Sequence, residues 1–204
     1  MTPGQKYESN DKLLDPKTGL LRNKKNILDV DELEEAETSC LMQAYQTLSA
    51  EYSDTHVFGE KDVQHLHHVF LGPLYEWAGS YRAVDISSPD IRWCHAQRIP
   101  GEMEKFGKML SQLTPFSRNI SRGNLVERLA KIHGELIVIH PFRDGNGRVT
   151  RLLCDVLLMQ GGHPPIEKQI FKAPAYQEKY FAAIREVWRK AEYSKLIELV
   201  GGWI

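Results

Sequence analysis

The chain has 204 residues, with 26 Lys and Arg against 27 Asp and Glu, for a formal charge of −1. So even a balance excludes a nucleic-acid binder that works through bulk positive charge. With 42% hydrophobic and 26% charged residues, the chain is also too apolar to be disordered. At about 150 residues per domain the length gives one domain with some extra, enough to bury a core without staples. Cys40, Cys94 and Cys154 are an odd, widely spaced set, which predicts a reducing, cytoplasmic setting and buried thiols. No Cys-x-x-Cys pair suggests a zinc ribbon. Met1 to Glu8 hold no apolar run, so no secretory leader is expected, and no stretch approaches the roughly 18 apolar residues of a membrane span.

Residues 1–26 are polar and turn-rich, broken by Asp15-Pro16 and Thr18-Gly19, and read as an irregular arm. Leu33, Ala36, Cys40, Ala44 and Tyr45 recur at helical steps, predicting a helix from Asp31, its N-cap, to about Ala50. Val63, Leu66, His67 and Phe70 predict a second helix from Lys61, closed by Pro73. Tyr81–Ile86, the turn cluster Ser87-Ser88-Pro89-Asp90 and Ile91–Cys94 predict a short β-hairpin. Helices follow at 101–113, at about Leu125–Ile139, from Gly147 to the glycine stop at Gly161-Gly162, at 175–190 and at about Tyr193–Val200.

Residues 140–151, His-Pro-Phe-Arg-Asp-Gly-Asn-Gly-Arg-Val-Thr-Arg, join two very apolar helices. Gly145-Asn146-Gly147 runs straight into a helix. Glycines permit positive φ, backbone N–H groups can converge on an anion, and the helix dipole adds positive potential. Arg148 and Arg151, three apart, project from one face of the first turns, and two guanidinium forks suit a polyphosphate. Asp144 is a hard oxygen ligand that fits Mg²⁺ bound to a nucleotide. His140 titrates near neutrality and can take a proton from a hydroxyl. Together the twelve residues describe transfer of a nucleotide phosphoryl group.

His140 to Arg151 resembles the complete signature of the Fic domain family, His-x-Phe-x-(Asp/Glu)-Gly-Asn-Gly-Arg-x-x-Arg. Leu74–Gly79 with Arg82–Ile86, and the arm with Asp15-Pro16, Gly19–Leu21 and Asn23-Lys24, are also similar to this family, over about residues 10–200. The resemblance implies an all-α fold of about seven or eight helices with one short β-hairpin flap. It divides the chain into an arm, 1–30, and a Fic domain, 31–204, with its core at about 60–200, flap at 82–95 and motif loop at 140–151. It implies AMP transfer from ATP, with Mg²⁺, to a hydroxyl of a target protein. His140 would be the general base, Phe142 the anchor of the loop and Asp144 the Mg²⁺ ligand. Asn146 and the N–H groups around Gly145 and Gly147 would hold the α-phosphate, and Arg148 and Arg151 the β- and γ-phosphates. The flap, at Asp85, Ile86, Ser87, Arg92, Trp93 and Cys94, would pair with a strand of the target by β-augmentation.

Many members carry an inhibitory Ser/Thr-x-x-x-Glu-Gly/Asn helix whose Glu pairs with the second arginine, here Arg151. Thr47…Glu51 is followed by Tyr52 and Ser194…Glu198 by Leu199, so both matches lack the last residue. The expectation is a bacterial toxin held by a separate antitoxin, with no nucleic-acid or membrane partner. Transfer of UMP, phosphocholine or phosphate, removal of AMP, or a nucleotide-binding adaptor that docks a strand without turnover remain the alternatives. The acidic run Asp31–Glu37 reads as a solvated helix face, His65, His67 and His68 as packing or surface histidines rather than a metal cluster, and the tryptophans as core or interface residues.

Overall fold

The computed structural model describes residues 12–88, 91–166, 171 and 173–204. The start of the chain at Met1–Glu8 and the turn residues Pro89 and Asp90 lie outside the described residues. Seven α-helices are found among the described residues: α1 (Val30–Leu48), α2 (Glu60–Leu71), α3 (Ile99–Leu113), α4 (Arg122–Ile139), α5 (Asn146–Gln160), α6 (Pro174–Lys190) and α7 (Ser194–Gly201). The hairpin strands are β1 (Ser87–Ser88) and β2 (Ile91–Arg92), antiparallel with Ser87 opposite Arg92. The expected all-α fold with one flap is therefore the observed one.

Helix α4 is the hub. Its buried side, with Leu125, Leu129, Ile132, Leu136 and their neighbours, packs on α3, α5, α6 and α7, while Glu127 and Lys131 stay exposed. Helix α2 packs on α1, α3 and α5 and brings its apolar face beneath the loop between α4 and α5. Ends follow capping chemistry. Asp29, not Asp31, caps α1, its Oδ1 accepting from Asp31 N and Glu32 N at 3.0 Å each. Ser121 caps α4, and Pro100 lies in the first turn of α3, where a missing N–H costs nothing.

Two expectations shift. The hairpin is shorter and begins later than the pattern of Tyr81–Ile86 suggests. The backbone there bonds elsewhere: Val84 O and Cys94 O accept from Arg82, and Asp85 Oδ1 accepts from Ala96 N. The arm is also pinned. Lys24 N donates to Leu74 O (2.8 Å), Lys24 Nζ donates to Gly72 O (2.9 Å), and Leu20 and Ile27 are buried. Cys40 and Cys154 are buried as expected, but Cys94 is only half-buried, and all three are free thiols.

Candidate active site

His140 ends α4 in the left-handed conformation (φ 52°, ψ 58°), a strained position for a residue with a Cβ. The turn swings its ring under the flap. The residue is 4% exposed, and its ring stacks on Trp93 with centroids 4.0 Å apart and planes at 14°. Nδ1 lies 3.1 Å from Ile137 O. A carbonyl only accepts, so Nδ1 carries the proton of the neutral ring and Nε2 is the basic nitrogen. Burial, with the Arg82 charge nearby adding to it, pushes the His140 pKa down to about 3, so the ring is neutral at physiological pH.

The loop after it is closed by its own side chains. Asn146 Oδ1 accepts from Phe142 N and Asn146 Nδ2 donates to Phe142 O, both at 2.8 Å. The Asn146 amide thus braces the loop across Phe142. Phe142 is fully buried and stacks on His67 (3.8 Å, 13°). Gly145 caps α5 at φ 77°, where a Cβ would be strained and would meet Leu71 Cδ1 at 2.8 Å. Its N–H donates to Asp144 Oδ1 at 2.6 Å. The first turn of α5 therefore opens at the loop, with the positive end of its dipole beside Asp144.

The two arginines lean on different elements rather than on one another. Arg151 lies over the Phe171 ring, 5.0 Å from its centroid, and its guanidinium reaches back towards Gly147. Arg148 lies over Phe70 at 5.0 Å and forms an ion pair with Glu37 of α1. Its NH2 is 3.7 Å from Asp144 Oδ1 and is buried without a hydrogen-bond partner, an orphaned donor for which an anion would supply the acceptor. Asp144 offers one hard carboxylate. That fits Mg²⁺, which takes its other ligands from water and phosphate, and among the described residues no group of three or more His, Cys, Asp or Glu could cage a metal.

Sequence reasoning missed the site roles of Glu37, His67 and Arg82, and gave Trp93 only as a flap residue. Glu37 is not solvated: it is 5% exposed, and its carboxylate accepts from both Tyr75 (2.5 Å) and Arg148. Burial first, and then the Glu37 charge, push the Tyr75 hydroxyl up, so it stays a donor. The available signal was position, since Glu37 falls in the Leu33, Cys40, Ala44 stripe of α1. His67 does more than pack. Gly79 N–H donates to Nδ1 (2.8 Å), so Nε2 carries the proton and donates to Asp144 O (3.0 Å). Arg82 and Trp93 tie the flap to His140. Of the expected flap residues, Ser87 pairs with Arg92, Cys94 O accepts from Arg82, and the Ile86 side chain is buried.

Two predictions arise here. Glu37→Gln removes one of the two carboxylates beside the Arg148 guanidinium, leaving Asp144 at 3.7 Å, and should cost up to about 3 kcal/mol in urea unfolding; a loss under about 0.5 kcal/mol would reduce the pair to an ordinary surface bridge. Second, His133 is fully buried against Tyr180 (2.8 Å) and, chiefly through burial, is also pushed down to about 3. The unfolded chain takes up protons near pH 6.5 that folded His133 and His140 refuse, so their stabilisation is full above that pH and is lost as pH falls towards 3. Each should remove about 1.4 kcal/mol per pH unit in that window. The urea midpoint should therefore fall steeply from about pH 6 to pH 4; an unchanged midpoint would contradict the buried neutral rings.

A model of the Fic/DOC family matches residues 57–158. The chain is similar to Protein adenylyltransferase VbhT of Bartonella schoenbuchensis, 33% identical over 163 residues, which are 78% of this chain and 33% of that protein. It is similar to "Probable protein adenylyltransferase Fic" of Salmonella typhimurium, 30% identical over 159 residues and 76% of each chain. In fold it resembles the crystal structure of BepC from Bartonella tribocorum with bound AMPPNP, with a TM-score of 0.74 at 21% identity, covering 94% of this chain and 95% of that one. The chain thus spans about a third of VbhT and about three quarters of the Salmonella protein.

Proposed function

The chain belongs to the Fic/DOC family, and from that premise we propose that it is a protein adenylyltransferase, moving AMP from ATP to a hydroxyl of a target protein. The observation that carries this reading is the His140 tautomer. Its Nδ1–H is held on Ile137 O, so the basic Nε2 belongs to the same loop that opens α5 to an anion. A proton acceptor in the same loop as a helix N-terminus suits transfer to a hydroxyl, and a binding module would not need one.

In the proposed reaction Nε2 takes the proton of the target hydroxyl as its oxygen attacks the α-phosphorus of ATP. The new O–P bond forms as the bond to pyrophosphate breaks, and pyrophosphate leaves in line with two electrons. Backbone N–H groups at the start of α5 stabilise the charge that builds on the α-phosphate oxygens. Arg148, with its orphaned NH2, and Arg151 take the leaving phosphates. Asp144 would hold Mg²⁺, which when bound neutralises phosphate charge. The flap would align an extended target segment by main-chain pairing. Support from the relatives is in their names as adenylyltransferases, and BepC was solved with an ATP analogue.

A separate inhibitory partner and a cytoplasmic toxin role belong to the same proposal. Of the two internal matches to the inhibitory pattern, Glu51 bonds His65 (2.7 Å) and Glu198 is exposed on α7. Among the described residues no helix is long and apolar enough to cross a membrane. The test is incubation in a bacterial lysate with ATP labelled at the α- or the γ-phosphate. Label on a protein band from α-labelled ATP alone is expected; a band from γ-labelled ATP would reassign the transferred group to phosphate.

A further inference from the structure

Arg82 is 4% exposed and stands between the flap and the motif loop. Its backbone N–H donates to Pro141 O (2.9 Å), its Nε to His140 O (2.9 Å), its NH1 to Val84 O (2.8 Å) and its NH2 to Cys94 O. Every one of these acceptors is a main-chain carbonyl. Two belong to the motif loop, one to the chain entering the hairpin and one to the chain leaving it. The guanidinium is planar and its donors are fixed in a fork, so the side chain holds three carbonyls in one rigid frame. Cys94 is also the neighbour of Trp93, whose ring covers His140, so the same bond sets the ring that packs on the base.

A two-residue hairpin cannot hold its own place, because a two-stranded ribbon is marginal in water. Ile86 and Ile91 are buried, but apolar burial is non-directional and does not by itself fix where the hairpin sits against His140. The Arg82 fork does. We propose that Arg82 is a positioning residue that sets the flap in fixed register with His140, so that a segment paired on the flap presents its hydroxyl to Nε2. The role rests on the adenylyltransferase reading. The bonds described for Arg82 all end on main-chain carbonyls of the motif loop and of the chain flanking the hairpin. Its loss should therefore act on turnover rather than on ATP binding.

The test compares Arg82→Met with Arg82→Lys, each first checked for folding by thermal unfolding. Amide hydrogen exchange in Ser87–Cys94 should quicken by at least about tenfold in Arg82→Met while α4 and α5 keep their protection. The kcat of transfer should fall about 100-fold with ATP affinity, measured by calorimetry, unchanged. Arg82→Lys keeps the charge and one or two of the bonds and should recover part of both losses; if Arg82→Met does not fold, this variant carries the comparison. Unchanged flap exchange, or unchanged kcat with a loosened flap, overturns the inference. Absence of transfer by the unmodified protein is a different result: it strikes the adenylyltransferase reading, while the exchange measurement still decides whether Arg82 clamps the flap.

Discussion

Replacing His140 by Asn should lower AMP transfer by about 10²–10⁴-fold, the contribution of a positioned general base, with ATP affinity and fold retained. Asn is the informative choice. His140 sits at φ 52°, a conformation Asn tolerates better than Ala, so the variant removes the base without adding backbone strain. The side-chain amide has no proton-accepting nitrogen near neutral pH. The His140 carbonyl, which accepts from Arg82, is untouched by the change, so the flap keeps its bond to the loop. Single-turnover transfer and calorimetric ATP binding check the two halves. Transfer at the unmodified rate by His140→Asn would remove His140 from the chemistry.

Phe142→Ala should produce the largest loss of stability, about 3–5 kcal/mol, as expected for a buried aromatic cut to a methyl. In a chain of this length that lowers Tm by roughly 10 °C. The ring is fully buried and stacked on His67, and its own backbone N and O are the two atoms that the Asn146 amide spans. Emptying the space therefore frees the loop as well as costing burial, so transfer should fall even at temperatures where the fold holds. Phe142→Leu refills most of the volume and should cost under about 2 kcal/mol. A loss under about 1 kcal/mol for Phe142→Ala would show that the loop is anchored elsewhere.

The motif loop was legible because its rules are local. A glycine at positive φ, a helix N-terminus and a histidine at a helix end all operate within twelve residues. The helices were legible from their apolar spacing, with ends corrected by one to three residues once caps such as Asp29 and Ser121 were seen. What the sequence hid are contacts across long separations. Glu37 and Arg148 are 111 residues apart, His67 and Asp144 are 77 apart, and Arg82 and His140 are 58 apart. Glu37 looked like one more carboxylate of an acidic run, and only its place in the apolar stripe of α1 set it apart. His67 stood on the apolar face of α2 with Val63, Leu66 and Phe70, where a buried histidine needs partners for both nitrogens. Arg82 gave no local signal, because its acceptors are carbonyls, which any residue supplies.

In the proposed reaction the bond broken lies at the α-phosphorus and AMP ends on a target hydroxyl. Tandem mass spectrometry of the protein labelled by this chain tests it most directly. The expected result is one AMP on a Ser, Thr or Tyr side chain, present with the unmodified protein and absent with His140→Asn. A bare phosphate, another nucleotide, or an adduct that persists in His140→Asn would contradict it.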